Sequence, residues 1–471
     1  MNVRELRRRV ASAAGSRTDP GRSFVALLSG DLAAKGLRLL ATIVLARTLT
    51  LDEFGLLNIA IAASGIAVVL ASLGLNDLGP RDVAIAARPL ATTVGTIVTT
   101  RLLAFGTLSA IAVTVVAIAD PSRLSLVVAA CAMGVFMVGS ADWVLRGLER
   151  MPALGVAWII GGVTVLVGAI VVGATADDAT AALTAFVAAE LAMAAACWIA
   201  ACRVVRPSLG LRGASGLLRR SWPLALSAVI VYSYYANIDT IILGATRSAE
   251  DAGLYSAPYR TFLVFNVVAV FAAYALLPSL SRRAAAGTVP VAGGPLVDAL
   301  SALAAYGVAV VGLAELAGAD LLSFLFGAEF ASMEETFVLL TVGVAWYSVG
   351  YPAGYSLIAD DRNKLFLAGA GAAGVTNLAL NLVLIPPFGP IGAGVATAVA
   401  FGVASCVWLV ARGLAVVAAR VLVPALGVAT IGAVAALVAD DERALIGVGT
   451  VALAVLMLAV SLGHRRRRSA D

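Results

Sequence analysis

The sequence predicts an all-α membrane protein of fourteen transmembrane helices, with both ends on the cytoplasmic side. Three observations predict it. Apolar residues make up 61% of the 471-residue chain and charged residues 13%, with a mean hydropathy of +0.98, which is more apolar surface than a water-soluble core can bury. Apolar runs of about 20 residues, long enough to cross ~30 Å of hydrocarbon, recur from one end to the other. Finally, basic residues alternate between the loops in the way a fixed membrane orientation requires.

The apolar runs fall at 24–47, 55–75, 92–119, 124–145, 153–174, 179–201, 222–243, 253–277, 296–318, 334–358, 364–385, 392–411, 419–439 and 444–462. With the N-terminus cytoplasmic, most of the 33 Lys and Arg lie in cytoplasmic segments or at their edges. Only Arg47, Arg123, Arg247 and Arg443 face outward, and the outer loops are acidic instead: Asp177–Asp178, Glu250–Asp251, Glu334–Glu335 and Asp440–Asp441. One helix more or fewer would invert every later loop and destroy this asymmetry. The segment 1–23 is polar and basic, and the apolar run after it is too long and too charged for a cleaved signal peptide, so it is expected to be retained. The run Arg465–Arg468 marks a cytoplasmic tail over 463–471.

Residues 42–57, TIVLARTLTLDEFGLL, return without a gap at 240–255 as TIILGATRSAEDAGLY. Thr42, Ile43, Leu45, Thr48, Gly55 and Leu56 are matched by Thr240, Ile241, Leu243, Thr246, Gly253 and Leu254, and Asp52–Glu53 by Glu250–Asp251. Six spans separate the copies. An even offset makes the repeat parallel, related by an axis along the membrane normal. The chain then reads as an N-lobe over 24–201 (helices 1–6), a cytoplasmic linker over 202–221, a C-lobe over 222–411 (helices 7–12) and two appended helices over 412–462. Helices 1 and 7 occupy equivalent places.

Composition removes most enzyme classes. The single histidine, His464, sits beside the terminal arginines, which leaves no His-based triad, His metal site or HExxH motif. Cys131, Cys197, Cys202 and Cys406 lie in or at the ends of spans without metal spacing, and are expected to be small buried residues; no metal or cofactor is expected. The predicted loops are too short for a soluble catalytic domain. No basic stretch is long enough to fold as a nucleic-acid-binding domain, so the net charge of +5 reads as topology, with the basic ends suited to anionic lipid headgroups.

Charges inside spans are costly and mark candidate sites. Asp31, Lys35 and Arg38 in the first span share one helical face, from roughly 10 to 20 Å below the cytoplasmic end at ~1.5 Å rise per residue. One reading is an Asp31–Lys35 pair closing a helix contact, with Arg38 bonded to a neighbour's carbonyls. The preferred reading is a cationic stripe along a water-filled cavity, because Asp31 neutralises only one of the two cations and a guanidinium fork suits phosphate oxygens. Arg101 in span 3 and Arg260 in span 8 extend the cationic set. Asp142 and Arg146 in span 4 form an i, i+4 pair. Tyr232, Tyr235 and Asp239 share a face of span 7, and Tyr255, Tyr259 and Pro258 precede Arg260. Glu190 stands alone in span 6. Four deep cations against Asp31, Glu190 and Asp239 suit an anionic substrate, where a pocket for cationic drugs should show the reverse balance.

The ordered segments LARTLTLDEFGLLNIA, LGLNDLGPRD, NIDTIILG, GLYSAPYR and LLPSLS resemble, over most of the chain and most strongly over 24–283, the polysaccharide (Wzx-type) flippases of the multidrug/oligosaccharidyl-lipid/polysaccharide (MOP) exporter superfamily. That resemblance implies two six-helix bundles in a V around a central cavity that opens alternately to each side. It implies a multi-pass protein of the bacterial cytoplasmic membrane, not an enzyme, that moves undecaprenyl-diphosphate-linked oligosaccharides outward, with membrane lipids and polysaccharide assembly proteins as partners. Lys35, Arg38, Arg101 and Arg260 would then hold the diphosphate, Tyr232 and Tyr235 would stack on sugars, and Asp31 or Asp239 would couple a proton or sodium gradient. The alternatives are a lipid II flippase, whose arginine-rich first two spans are not matched here because span 2 carries no charge, and a multidrug (MATE-like) antiporter. A membrane polymerase or ligase would carry a long catalytic outer loop, which the sequence lacks.

Overall fold

The computed structural model describes residues 20–85, 89–235, 238–285, 295–360 and 362–414, with residues 427 and 450. Every regular element among them is helical. The chain divides into two compact units, Met1–Tyr232 and Ser233–Asp471; the division falls inside the seventh predicted span.

The first unit contains α1 (Pro20–Thr48), α2 (Leu51–Ser72), α3 (Leu75–Ala84), α4 (Leu90–Ala119), α5 (Leu124–Gly139), α6 (Asp142–Gly147), α7 (Met151–Thr175), α8 (Ala179–Cys202) and most of α9 (Ala214–Tyr235). Small residues set the way α1 lies on α7. A Cβ on Gly30 would stand 2.6 Å from the Gly155 Cα, and one on Gly162 would meet Leu37 and Ala34 at 3.1–3.2 Å. Between apolar helices in lipid, such backbone-level contact gives the dispersion attraction that holds them together. It buries Ala34 and Ala41 and leaves Leu32, Lys35 and Leu40 on the open side of α1.

Two features of this unit were not predicted. The short helix α3 follows a turn at Leu73 (φ +50) and Gly74 (φ +73), and a Cβ at Gly74 would come within 2.5 Å of Ser221 O and Ala225 N, so only glycine fits there. The segment expected as a linker is laid along α4 instead. Ser208 N donates to Ala91 O (2.9 Å), Gly210 N to Thr99 Oγ1 (3.2 Å) and Thr96 Oγ1 to Arg212 O (3.1 Å). Arg220 closes the contact with a two-pronged bond to buried Asp82 (3.1 and 2.9 Å), and those bonds hold its guanidinium above the ordinary arginine range.

The second unit continues with α10 (Ile238–Thr246), α11 (Ala249–Ala285), α12 (Pro295–Phe326), α13 (Glu334–Ala359), α14 (Asn363–Phe388) and α15 (Pro390–Arg412). Its buried centre is α13, which packs on α11, α12 and α15. A Cβ on Gly307 would stand 2.5 Å from the Ala345 Cα, Ser405 Oγ donates to Trp346 O (2.8 Å), and the Trp408 indole donates to Phe366 O (2.9 Å) while stacking on that ring at 5.4 Å. The helix α12 contains a break at Ala317 (φ −146, ψ 19). Arg412 pairs with Asp360, tying the end of α15 to the end of α13.

The repeat seen in the sequence has a common local structure. Thr48 ends α1 with its hydroxyl on Val44 O, and Thr246 ends α10 with its hydroxyl on Ile242 O. Two residues later Thr50 accepts from Glu53 N (3.3 Å), and Ser248 accepts from Asp251 N (2.9 Å). Each copy is therefore a helix stop followed by an N-cap, and Asp52–Glu53 and Glu250–Asp251 sit in first turns, where carboxylates oppose the helix dipole favourably.

Among the described residues, ten helical stretches are long and apolar enough to cross a membrane, against the fourteen expected. The first span, within α1, carries the charges of Asp31, Lys35, Arg38 and Arg47, and residues 236 and 237 of the seventh lie outside those described. Spans 13 and 14 lie outside the described residues apart from Gly427 and Thr450. Large apolar side chains stand exposed on the outer faces, including Ile111, Val115 and Ile118 on α4 and Val375, Leu382 and Val383 on α14, as lipid contact requires.

Candidate functional site

Each unit brings together part of the predicted set. In the first unit Lys35 Nζ pairs with Asp31 Oδ2 at 2.7 Å, with 60% of the Lys35 side chain exposed. Arg38 turns the other way, and its Nη2 meets Glu190 Oε1 on α8 at 2.7 Å. Glu190 is buried, and its Oε2 has no hydrogen-bond partner among the described residues. The reading of Arg38 as a cation without a carboxylate is thereby corrected: Glu190, taken alone in the sequence, neutralises it. The pairing of Asp142 with Arg146 is as expected.

Arg101 is 1% exposed on α4, with Asp142 and Arg146 as its neighbouring charges. Its Nε and Nη1 are buried without hydrogen-bond partners among the described residues. A guanidinium in that condition is costly unless an anion reaches it in another state of the protein.

In the second unit Asp239 lies in the first turn of α10 and is buried. It accepts the Thr240 backbone N–H at 2.9 Å and the Tyr255 hydroxyl of α11. Tyr255 in turn bonds the Thr397 hydroxyl of α15. Asn377 on α14 donates to Thr397 Oγ1 (3.5 Å), and Asn381 donates to Asn377 Oδ1 (3.0 Å). A relay Asn381–Asn377–Thr397–Tyr255–Asp239 therefore crosses four helices and ends on one carboxylate. Buried Asn381 Oδ1 and Thr240 Oγ1 remain without hydrogen-bond partners among the described residues. The group offers only oxygen ligands and a single carboxylate, a set that suits a monovalent cation or a proton. No cluster of three His, Cys, Asp or Glu side chains exists among the described residues.

Arg260 is half-buried on α11, which continues as helix through Pro258. The side chains of Tyr232 and Tyr235 lie outside those described. A different aromatic row is present on α13: Tyr347, Tyr351 and Tyr355 stack at 4.9 and 5.6 Å, and Tyr274 of α11 meets Tyr355 at 5.4 Å. The spacing YSVGYPAGY announces that row in the sequence. Asn377, Asn381 and Thr397 gave a weaker signal, an i, i+4 amide pair in one apolar run and a hydroxyl in the next. Of the four cysteines, Cys197 is buried and Cys131 half-buried, whereas Cys202 and Cys406 are exposed rather than buried as expected.

These features make the chain a multi-helix protein with ten stretches able to cross a membrane among the described residues, and the comparisons with known proteins add its family and fold. Residues 21–283, more than half of the chain, match the polysaccharide biosynthesis protein family, and the chain belongs to that family. Its fold is similar to that of the lipid II flippase MurJ in an inward closed conformation, with a TM-score of 0.70 at 11% identity over 95% of this chain and 100% of that one. An inward-facing multidrug resistance MATE transporter of the MOP superfamily matches with a TM-score of 0.57 at 16% identity, over 82% of this chain and 95% of that one. A MOP superfamily transporter from Pyrococcus furiosus, described as having a binding pocket of reverse polarity, matches at 0.53 and 14%, over 85% and 97%. No curated protein matches the sequence significantly.

Proposed function

We propose that this protein is a flippase that carries a polyprenyl-diphosphate-linked oligosaccharide from the inner to the outer leaflet of a bacterial cytoplasmic membrane, for surface polysaccharide export. It would do so as a fourteen-span transporter with both ends inside, whose two lobes form a V and open alternately. Membership of the polysaccharide biosynthesis family supports the substrate class. The observation that carries the anionic headgroup is Arg101: a guanidinium buried on α4, with Nε and Nη1 lacking hydrogen-bond partners among the described residues, is costly unless an anion reaches it.

Lys35, Arg38, Arg101 and Arg260 hold the diphosphate as point charges and guanidinium forks. Tyr351 and Tyr355, half-buried on α13, offer ring faces to pyranoses beside the roles assigned to Tyr232 and Tyr235. The polyprenyl tail stays in lipid. A proton or sodium ion binds at Asp239, with Thr240 and Tyr255 as the adjacent oxygen donors; Asp31 is the counterpart in the first unit. Binding there changes the charge of a buried carboxylate, and that is the term by which an ion gradient favours one conformation over the other.

The fold likeness to MurJ supports a second reading, a lipid II flippase. Deleting the gene separates the two. Loss of surface polymer, with lipid-linked repeat units accumulating in viable cells, is the expected result. Lysis with accumulated lipid II would contradict the proposal and favour the second reading.

A further inference from the structure

We propose that residues 203–226 form a binding surface for anionic phospholipid, with exposed arginines on the headgroups and exposed apolar side chains in the layer beneath them. The stretch 203–222 carries Arg203, Arg206, Arg212, Arg219 and Arg220 and no Asp or Glu. All five are exposed, and among the described residues only Arg220 forms an ion pair, with Asp82. Four large apolar side chains stand exposed with them: Leu209 (73%), Leu211 (53%), Trp222 (62%) and Leu226 (56%). On α9, Arg219, Trp222 and Leu226 share one exposed face, while Leu217 and Ser221 are buried on the other.

The height of this surface follows from α4. At ~1.5 Å per residue its 30 residues measure about 45 Å, against ~30 Å of hydrocarbon. Its exposed apolar side chains reach Ile118, next to the end of the helix at Ala119. About 20 residues cross the hydrocarbon, so the other edge of that layer falls near residue 99. The bonds to Ala91, Thr96 and Thr99 lay residues 208–212 along this edge and the headgroup zone beyond it. Trp222 is held at the same end of the first unit: Arg220 is tied to Asp82 of α3, which leads into α4, and the chain at Ser221 and Ala225 closes on Gly74.

Water suits one half of this surface and hydrocarbon the other. Leu209, Leu211, Leu226 and the Trp222 indole gain by leaving water, whereas arginines keep their heads in the polar layer while their stems lie along apolar surface. Tryptophan and arginine at this depth are interfacial anchors. A zwitterionic headgroup brings no net charge to Arg203, Arg206, Arg212 and Arg219. An anionic one does, and an arginine at an anionic membrane surface contributes about fivefold in affinity. Lipid is the occupant already present at this height, because the exposed apolar side chains of α4 require it.

The test measures tryptophan quenching in full-length protein reconstituted into mixed phosphatidylcholine–phosphatidylglycerol vesicles, in which one lipid or the other carries brominated acyl chains. Brominated phosphatidylglycerol should quench more, mole for mole, than brominated phosphatidylcholine. That excess should vanish in Trp222→Phe and in the combined variant Arg203→Gln/Arg206→Gln/Arg212→Gln/Arg219→Gln, and should shrink at high salt. Since none of the four arginines is ion-paired, the combined variant should keep the wild-type melting temperature in pure phosphatidylcholine. The vesicles hold no lipid-linked sugar, so the result is independent of the transport reaction proposed above. Equal quenching by the two lipids, or an excess that survives in Trp222→Phe or in the combined arginine variant, would overturn the proposal.

Discussion

Arg38 and Glu190 stand 152 residues apart in sequence and 2.7 Å apart in space, with the carboxylate buried and the guanidinium one-third exposed. Such a pair has two separable roles, and substitution distinguishes them. Arg38→Ala leaves a buried carboxylate without its cation, and removing one partner of a buried pair costs about 3–5 kcal/mol, with the partial exposure of Arg38 placing this one toward the lower end. The melting temperature of Arg38→Ala should therefore fall, and the double variant Arg38→Ala/Glu190→Gln should recover most of it. If Arg38 also holds substrate, the double variant folds but exports no surface polymer. Full export from a stable double variant would reduce Arg38 to a structural residue.

At the scale of elements, the contact between α1 and α7 decides where Lys35 and Arg38 point. Gly30 meets Gly155 with no room for a Cβ. Gly30→Leu should separate the two helices and lower stability by about 1–3 kcal/mol, the usual cost of overpacking, read as a fall in melting temperature. Leucine at Gly36, where nothing lies within 4 Å, is the matched control and should leave stability unchanged. The sequence reveals such elements unevenly. Charges in α1 stand out because charge is rare in an apolar run, so Asp31, Lys35 and Arg38 were legible. Glu190 was legible as a costly residue but not as the partner of Arg38, because no local pattern links spans 1 and 6. The docking of 202–221 on α4 joins backbone groups of Ser208, Gly210 and Arg212 to Ala91 O and to the Thr99 and Thr96 hydroxyls, and no local pattern links those threonines to a segment so distant in sequence. Asn377, Asn381 and Thr397 were missed because uncharged amides and hydroxyls hardly lower the hydropathy of their spans, and the ten-residue α3, with Pro80 inside it, read as a loop.

At the scale of the whole molecule, two sets of polar groups lie within one apolar fold, cations on α1 and α4 in the first unit and a carboxylate-ended relay in the second. The division of labour assigned to them is that the first receives an anionic headgroup and the second receives the driving ion. A protein of the polysaccharide biosynthesis family built this way should respond to an ion gradient through Asp239 while its substrate affinity rests on Lys35 and Arg101. The most direct measurement reconstitutes the purified protein in liposomes with a polyprenyl-diphosphate oligosaccharide and follows its movement between leaflets, with and without an imposed proton or sodium gradient. The account predicts leaflet exchange that a gradient accelerates, and an Asp239→Asn variant that still binds the lipid-linked sugar but no longer responds to the gradient. Exchange that is absent for the diphosphate-linked sugar, or equally gradient-driven in Asp239→Asn, would contradict it.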